Sequence, residues 1–463
     1  MLTARPRRSV PALLAAALAL VLLAAPAGAA AKPGALTQLP GKQGCLVDRS
    51  KPAGSCGKAR ALKGPGPFMG SRAIAVSPDG RNVYVASSSS DAIAIFSRDP
   101  RSGRLSQGKG KGGCVAAKGS GGCAVAVGLD EPNSVAISPD GLNVYATSRA
   151  GNSVTAFGRS PKNGALAQLP PPAGCISGLP LPGCVPGRAL LAPDVVVVSP
   201  DGTSVYAGSF FGNSVAAFAR TATGALTQLA GTAGCIAEAT EGCAAGIGLK
   251  SVEGLAISGD GASVYAATAL SNEVVELSRD ASTGALTQAT DGSGCIVDAA
   301  LTGCTLGREL AGANAVAISP GDENVYVTSL FSNSVTAFDR AGSTALTQKE
   351  LTNACLIFLR SAGCSFGRAM IAPEGVTVSP DGKNVYLASF KTGAIDVLDR
   401  RPKGGAVRQK PGPAGCLATN VNGCARARAL KGVSSIALSP DGRYVYSTSF
   451  ESNAVDVFRR SLK

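Results

Sequence analysis

Short apolar runs, each closed by turn residues, recur along this chain in a fixed order. The stretch from 195 to 228 shows the order most plainly. Val195-Val196-Val197-Val198 is β-branched throughout, as a strand buried on both faces should be. Ser199-Pro200-Asp201-Gly202 then supplies a turn, in which Pro presets φ, Asp caps locally and Gly takes the left-handed position. Ser204 to Ser209 reads as a second strand, Phe210 to Asn213 as a hairpin loop, and Ser214 to Arg220 as a third strand. After Thr223-Gly224, Ala225-Leu226-Thr227-Gln228 makes a short fourth strand.

The same phrase fills the chain from residue 32 to its end. Its turn serine stands at Ser77, Ser138, Ser199, Ser258, Ser319, Ser379 and Ser439, in steps of 61, 61, 59, 61, 60 and 60 residues. So regular a period marks one supersecondary unit, each copy unable to bury its apolar face alone. Four antiparallel strands repeated seven times predict an all-β, seven-bladed β-propeller. The last repeat stops after its third strand, Ala454 to Phe458, whereas Gly34-Ala35-Leu36-Thr37-Gln38 is a fourth strand with no blade before it. Pairing the two closes the ring and removes the open edge. The propeller is therefore expected to occupy 32–463 as one domain.

Residues 1–31 read differently. Arg5, Arg7 and Arg8 precede an apolar run from Ala12 to Ala25 and then small residues, the order of a secretory signal peptide cut after about Ala29 or Ala31. No later stretch is long and apolar enough to span a bilayer. The 14 cysteines agree with export. They fall one pair to a repeat, Cys45/Cys56, Cys114/Cys123, Cys175/Cys184, Cys235/Cys243, Cys295/Cys304, Cys355/Cys364 and Cys416/Cys424, which is simplest as seven local disulfides. Each pair lies in an added segment between a fourth strand and the next repeat's first strand. A zinc site is excluded, because the chain has no His and no Cys-x-x-Cys. Losing three Arg and no acid with the signal takes the net charge from +14 to +11. On an exported chain that suits anionic envelope polymers or lipid surfaces, or serves solubility alone. No basic-aromatic cluster supports nucleic-acid binding.

Asn82-Val83-Tyr84-Val85-Ala86-Ser87, Asn324-Val325-Tyr326-Val327-Thr328-Ser329 and Ser332-Asn333-Ser334-Val335 resemble YVTN-type propeller repeats. The phrase from Arg279-Asp280 to Thr283-Gly284-Ala285-Leu286-Thr287 is similar to the seven-bladed lactonase-like family, which includes bacterial 6-phosphogluconolactonase and fungal carboxymuconate cyclase. The resemblance covers all seven repeats and implies the fold. It carries over no catalytic residue, since the matching motifs are strand and turn phrases. The chain also departs from the family's usual pattern in its disulfide-bearing segments and its lack of His.

Three sets of residues could carry chemistry. Five positions before each turn serine stand Arg72, Asn133, Asp194, Glu253, Asn314, Glu374 and Ser434. They are expected to ring the channel mouth on the face decorated by the Cys segments. Asp194, Glu253 and Glu374 could there hold a hard cation such as Ca²⁺, or the ring could simply line a wet mouth. Metal-dependent lactonases of the gluconolactonase and paraoxonase kind are similar in principle. Arg188, Arg308 and Arg368, with Arg60, Lys250 and Arg428 close to the same place, could capture an anion or tie their own loops to a neighbour. Phe210, Phe211, Leu270, Leu330, Phe331, Phe390 and Phe450 could form a partner patch or pack beneath the Cys loops. The tyrosines Tyr84, Tyr145, Tyr206, Tyr265, Tyr326, Tyr386 and Tyr446 read as packing residues.

With no His and no free thiol, the Ser-His-Asp and Cys-His arrangements are absent, and no catalytic residue is assigned. The sequence favours a secreted monomer that binds a small molecule, an anionic polymer or a protein on its decorated face. The alternative is a secreted lactonase-type hydrolase, in which a cation polarises the carbonyl and a carboxylate directs water.

Overall fold

The computed structural model describes Met1 and residues 32–66, 72–299, 301–341, 345–359 and 363–463. The signal-peptide expectation lies outside the described residues. Residues 32–463 form one compact unit of seven sheets. Each sheet's first strand packs against the first strand of the next, and Ile74–Val76 completes the circle between Val433–Leu438 and Pro132–Ile137. The apolar runs that alternate with turn residues thus become blades arranged about one axis. Seven apolar clusters fill the gaps, one between each pair of neighbouring blades.

The ring closes as the repeat count requires. Leu36 pairs with Arg460, Thr37 with Arg459 and Gln38 with Phe458, antiparallel. Cys45–Asp48 continues along the same strand, pairing Cys45 with Asp456 and Val47 with Ala454. The first and last segments therefore share a blade.

The blade itself is richer than four strands. In the third repeat Pro193–Val198, Ser204–Ser209 and Ser214–Arg220 are as expected, but the fourth strand comes in two pieces, Leu226–Gln228 and Cys235–Ala237. Both pieces pair with the third strand. A short fifth strand, Ala244–Ala245, then runs parallel to the second piece.

The cysteines pair as expected, one bond to a blade: Cys45–Cys56, Cys114–Cys123, Cys175–Cys184, Cys235–Cys243, Cys295–Cys304, Cys355–Cys364 and Cys416–Cys424. Their setting corrects the expectation of an added segment outside the blade. The first cysteine of each pair opens the second piece of the fourth strand and so belongs to the sheet. Its partner, Cys56, Cys123, Cys184, Cys243, Cys304, Cys364 or Cys424, stands one residue before the fifth strand. Local composition could not reveal this, because a fifth strand of two or three residues leaves no alternation to read. Parallel neighbours normally need a longer crossover, and here the bond fixes the short one in place. None of these sulfurs is free, so the set braces the blades and offers no ligand or nucleophile.

Each bond spans 8 to 11 residues of chain. Chain-entropy bookkeeping gives a loop of this size about 2–3 kcal/mol. A Cys295→Ala, Cys304→Ala variant should accordingly lose about 2–3 kcal/mol of unfolding free energy in a urea titration. An unchanged midpoint would show that the fifth strand holds the loop without the bond.

Candidate functional site

A backbone irregularity places the polar ring. The first strands of six blades carry a register shift, between Pro132 and Ser134, Pro193 and Val195, Val252 and Gly254, Ala313 and Ala315, Pro373 and Gly375, and Val433 and Ser435. In each case the unpaired residue is the ring member: Asn133, Asp194, Glu253, Asn314, Glu374 or Ser434. A bulge leaves one residue outside the ladder and re-aims its side chain. All six are at most 2% exposed. The expected wet mouth is thus sealed on the Cys-loop face, and its polar atoms are only partly satisfied, with Asn133 Oδ1, Asp194 Oδ2 and Glu253 Oε2 buried without a hydrogen bond. Asn133 Nδ2 donates to Asp194 Oδ1 at 2.6 Å, Thr328 Oγ1 to Asn314 Oδ1 at 2.8 Å, and Ser434 Oγ to the Gly66 carbonyl at 2.8 Å. Asn314 Nδ2 donates to the Pro373 carbonyl at 3.1 Å.

The carboxylates of the ring are strongly perturbed. Burial pushes Asp194 up to about 6, against the pull of Arg149, whose Nη1 stands 3.7 Å from Asp194 Oδ2, and of Asn133. Glu253 lies well above the usual range through burial and the neighbouring Asp194 charge, and its Oε1 accepts from Ser251 Oγ at 3.1 Å. Glu374 is fully buried, on the far side of Asn314 in the ring. These three do not make a common ligand set. Among the described residues the only three acidic or cysteine side chains gathered within 4.8 Å are Glu273, Cys295 and Cys304, and both of those sulfurs are bonded to each other. The arrangement therefore does not suit a Ca²⁺ held jointly by Asp194, Glu253 and Glu374.

The seventh member behaves differently. Arg72 reaches across the channel, and its Nη2 donates to the Val316 carbonyl at 3.0 Å. It divides the channel into lobes of about 380 and 300 Å³. The first strand's last residue is half-buried in every blade, from Val76 to Leu438, while its first positions are buried. The channel accordingly opens on the Ser-Pro-Asp-Gly turn face, opposite the decorated one.

The proposed basic ring is a set of clamps. Arg188 Nη1 donates to the Gly242 carbonyl and Nη2 to that of Gly231, both at 2.8 Å, in the next blade's Cys segment. Arg60, Arg368 and Arg428 hold the Gly110, Gly412 and Gly41 carbonyls in the same way. Gln348 fixes the Arg308 backbone at the equivalent point. Lys250 is not a member, because its blade puts Ile247 at this position, bonded through its backbone to Gln288. Donors committed to backbone carbonyls are not available to an anion.

A second arginine ring was not foreseen. The third strand of each blade ends in Arg98, Arg159, Arg220, Arg279, Arg340, Arg400 or Arg460. Each forms an ion pair with the turn acid of the preceding blade, from Arg220 with Asp140 at 2.6 Å to Arg98 with Asp441 at 3.3 Å, with Glu323 serving Arg400. Each Nε donates to the preceding blade's tyrosine, at 2.9 Å for Arg159 to Tyr84 Oη. Tyr84 in turn donates to the Gly164 carbonyl at 2.8 Å. Gly164 has φ +74°, and any Cβ there would fall 2.2 Å from Asn82. The tyrosines are therefore packed and also latch adjacent blades.

The apolar set divides by position. Leu330 and Phe390, first in their loops, are buried together with Ala372. Phe211, Leu270 and Phe331, second in the loops of three successive blades, are 61, 63 and 63% exposed. Arg149 stacks on Phe210 with its guanidinium 4.3 Å from the ring centroid, and Phe211 meets Phe210 edge-on at 4.8 Å.

Residues 62–118 match the family described as lactonase, 7-bladed beta-propeller. The chain is a seven-bladed propeller that resembles the lactonase family over that stretch. Similar solved structures include the putative 6-phosphogluconolactonase of Bacteroides uniformis, at 16% identity and TM-score 0.51 over 80% of this chain and 88% of that one. The Pseudomonas aeruginosa periplasmic gluconolactonase matches at 17% and 0.52, over 80% and 88%. Hydrazine synthase of Kuenenia stuttgartiensis matches at 17% and 0.53, over 86% and 98%. A search of curated proteins finds no match. At such identities the likeness speaks for the fold alone, and the propeller's chemistry has to be argued from its own residues. Its seven disulfides fit an oxidising, extracytoplasmic setting. Among the described residues no helix is long and apolar enough to cross a membrane.

Proposed function

We propose that the propeller is a secreted binding module that docks a protein partner on its Cys-loop face. The observation that carries this reading is the exposure of Phe211, Leu270 and Phe331 at one loop position in three successive blades. Large apolar side chains repeated on one face of a rigid scaffold mark a surface that water should not own. Aromatic anchors of this kind supply most of the energy of protein interfaces. A small ligand finds no opening from there into the channel, because the six described bulge residues of the polar ring beneath are buried. The net charge of +11 after loss of residues 1–31 favours an acidic rim on the partner.

The test is a Phe211→Asp, Leu270→Asp, Phe331→Asp variant, immobilised beside the wild type and challenged with the cell-envelope fraction of the source cell. All three sites are exposed, so the variant should fold. It should retain at least about tenfold less of a partner that the wild type captures. Equal capture would defeat the reading.

A hydrolase reading has one observation in its favour. Arg72 and Glu374 line the same channel lobe, where a guanidinium could polarise a carbonyl and a carboxylate could direct water. Asp194 and Glu253 line neither lobe of the channel. Lactone turnover by the wild type that vanishes in Glu374→Gln would favour this reading instead.

A further inference from the structure

We infer that Arg72 anchors a small aliphatic carboxylate in the central channel, in the lobe that opens on the turn face. This site is separate from the docking surface and stands or falls without it.

The argument rests on the cost of the arrangement. Arg72 projects from the start of the first repeat's inner strand and lines both lobes of the channel. One guanidinium nitrogen is spent on the Val316 carbonyl. A guanidinium carries five N–H donors, and the others have no partner among the described residues. Burial lowers its basicity to about 10, and no acidic neighbour acts to restore it. The seven third-strand arginines, by contrast, all hold a carboxylate. Arg72 is half-buried and has no ion-pair partner among the described residues, and a ligand carboxylate would supply one with the planar geometry a guanidinium prefers.

The walls define the rest of the ligand. Ile74, Val316, Ile318, Ile436 and Leu438 give the larger lobe an aliphatic wall, interrupted by Glu374, Thr377 and Ser435. At about 380 Å³ it falls within the range of small-molecule sites. An aliphatic wall beside one half-buried cation favours a short alkyl chain whose single negative head meets Arg72. It discriminates against the matching alcohol, which brings no charge, and against the matching amine, which brings the wrong one.

Calorimetric titration of the purified protein with hexanoate, hexan-1-ol and hexylammonium tests this. Hexanoate should bind with a Kd of about 1 mM or tighter, and the other two at least about tenfold more weakly. Arg72→Met, which keeps the length and removes the charge, should abolish hexanoate binding while the circular dichroism stays native. Should Arg72→Met fail to fold, Arg72→Gln decides, since it removes the charge and keeps a donor for the Val316 carbonyl. It too should abolish binding. Silence with hexanoate at about 10 mM, equal binding of hexan-1-ol, or binding that survives in either folded variant would overturn the proposal.

Discussion

Replacing Arg279 by Ala should lower the unfolding free energy by about 3 kcal/mol, more than any surface ion pair would account for. The Arg279 side chain is 1% exposed and makes three kinds of contact across or within the blade. Nε donates to Tyr206 Oη at 3.0 Å, Nη1 to the Gly261 carbonyl at 3.1 Å and Nη2 to Asp201 Oδ2 at 2.7 Å. The carboxylate is 39% exposed, so its own share is screened and small. The loss comes from the buried phenol and carbonyl left without a donor, and from the gap between two blades. Asp201→Asn, which keeps an acceptor, should therefore cost no more than about 1 kcal/mol. Urea titrations of the two variants check this. Equal losses would mean that the exposed charge, not the buried network, holds the blades together.

Stability should fall as pH rises from about 4 to about 8, and Asp396→Asn should remove its own share of a fall to which Asp456, Glu253 and Glu273 also contribute. Asp396 is fully buried beside the Cys416–Cys424 loop, paired in register with Cys416. Burial pushes its carboxyl up to about 8, against hydrogen bonds from Ser389 and Gln409 and the charge of Arg368. In the unfolded chain the group loses its proton near pH 4, while in the fold it keeps that proton until about pH 8. Its contribution is thus complete below pH 4 and lost as pH climbs through the folded value, by up to about 5 kcal/mol. Asn fits the site, since its amide can donate towards Ser389 while its oxygen accepts from Gln409. Melting temperatures at pH 5 and pH 8.5 should show the wild type dropping and Asp396→Asn dropping less, the variant being the more stable at the higher pH. The turn acids work in the opposite sense. At Asp201 burial raises the carboxyl, but the Ser199 hydroxyl, Thr203 and Arg279 outweigh it and hold it below the usual range. That contribution is present above about pH 4 and is lost on acidification. If Asp396→Asn and wild type share one slope between pH 5 and 8.5, the buried carboxyl is not the cause.

Periodicity alone revealed the seven blades, the three long strands of each and the closure of the ring, because these follow from local alternation and a constant phase. What escaped it depends on register and on contacts between copies. Nothing local marks a bulge at Asn133 or Glu253, so polar residues at a channel position read as wet when they are sealed. Arg159 meets Asp79 across some eighty residues of chain, a pairing visible only when the repeats are stacked in space. Its sequence signal was available all the same: an Arg ends the third strand of every repeat. The clamp ring shows the opposite error. Lys250 lies near the arginine position in the chain, but Ile247 and Val127 occupy it in their blades. Spacing within one repeat could not distinguish three residues of offset. The disulfide pairing, Cys184 with Cys175 for example, was legible from spacing, whereas the strand that follows Cys184 was not. Phe211 and Phe210 are neighbours in sequence with opposite fates, set by which side of the hairpin loop each one takes.

Hydrogen exchange on the propeller, free and with its captured partner bound, tests the docking face most directly. Slowed exchange should map to the loops at 209–213, 268–272 and 329–333, while the turns at 199–202 and 258–261 on the opposite face exchange as before. Protection confined to those turns, or no change at the three loops, would contradict the account.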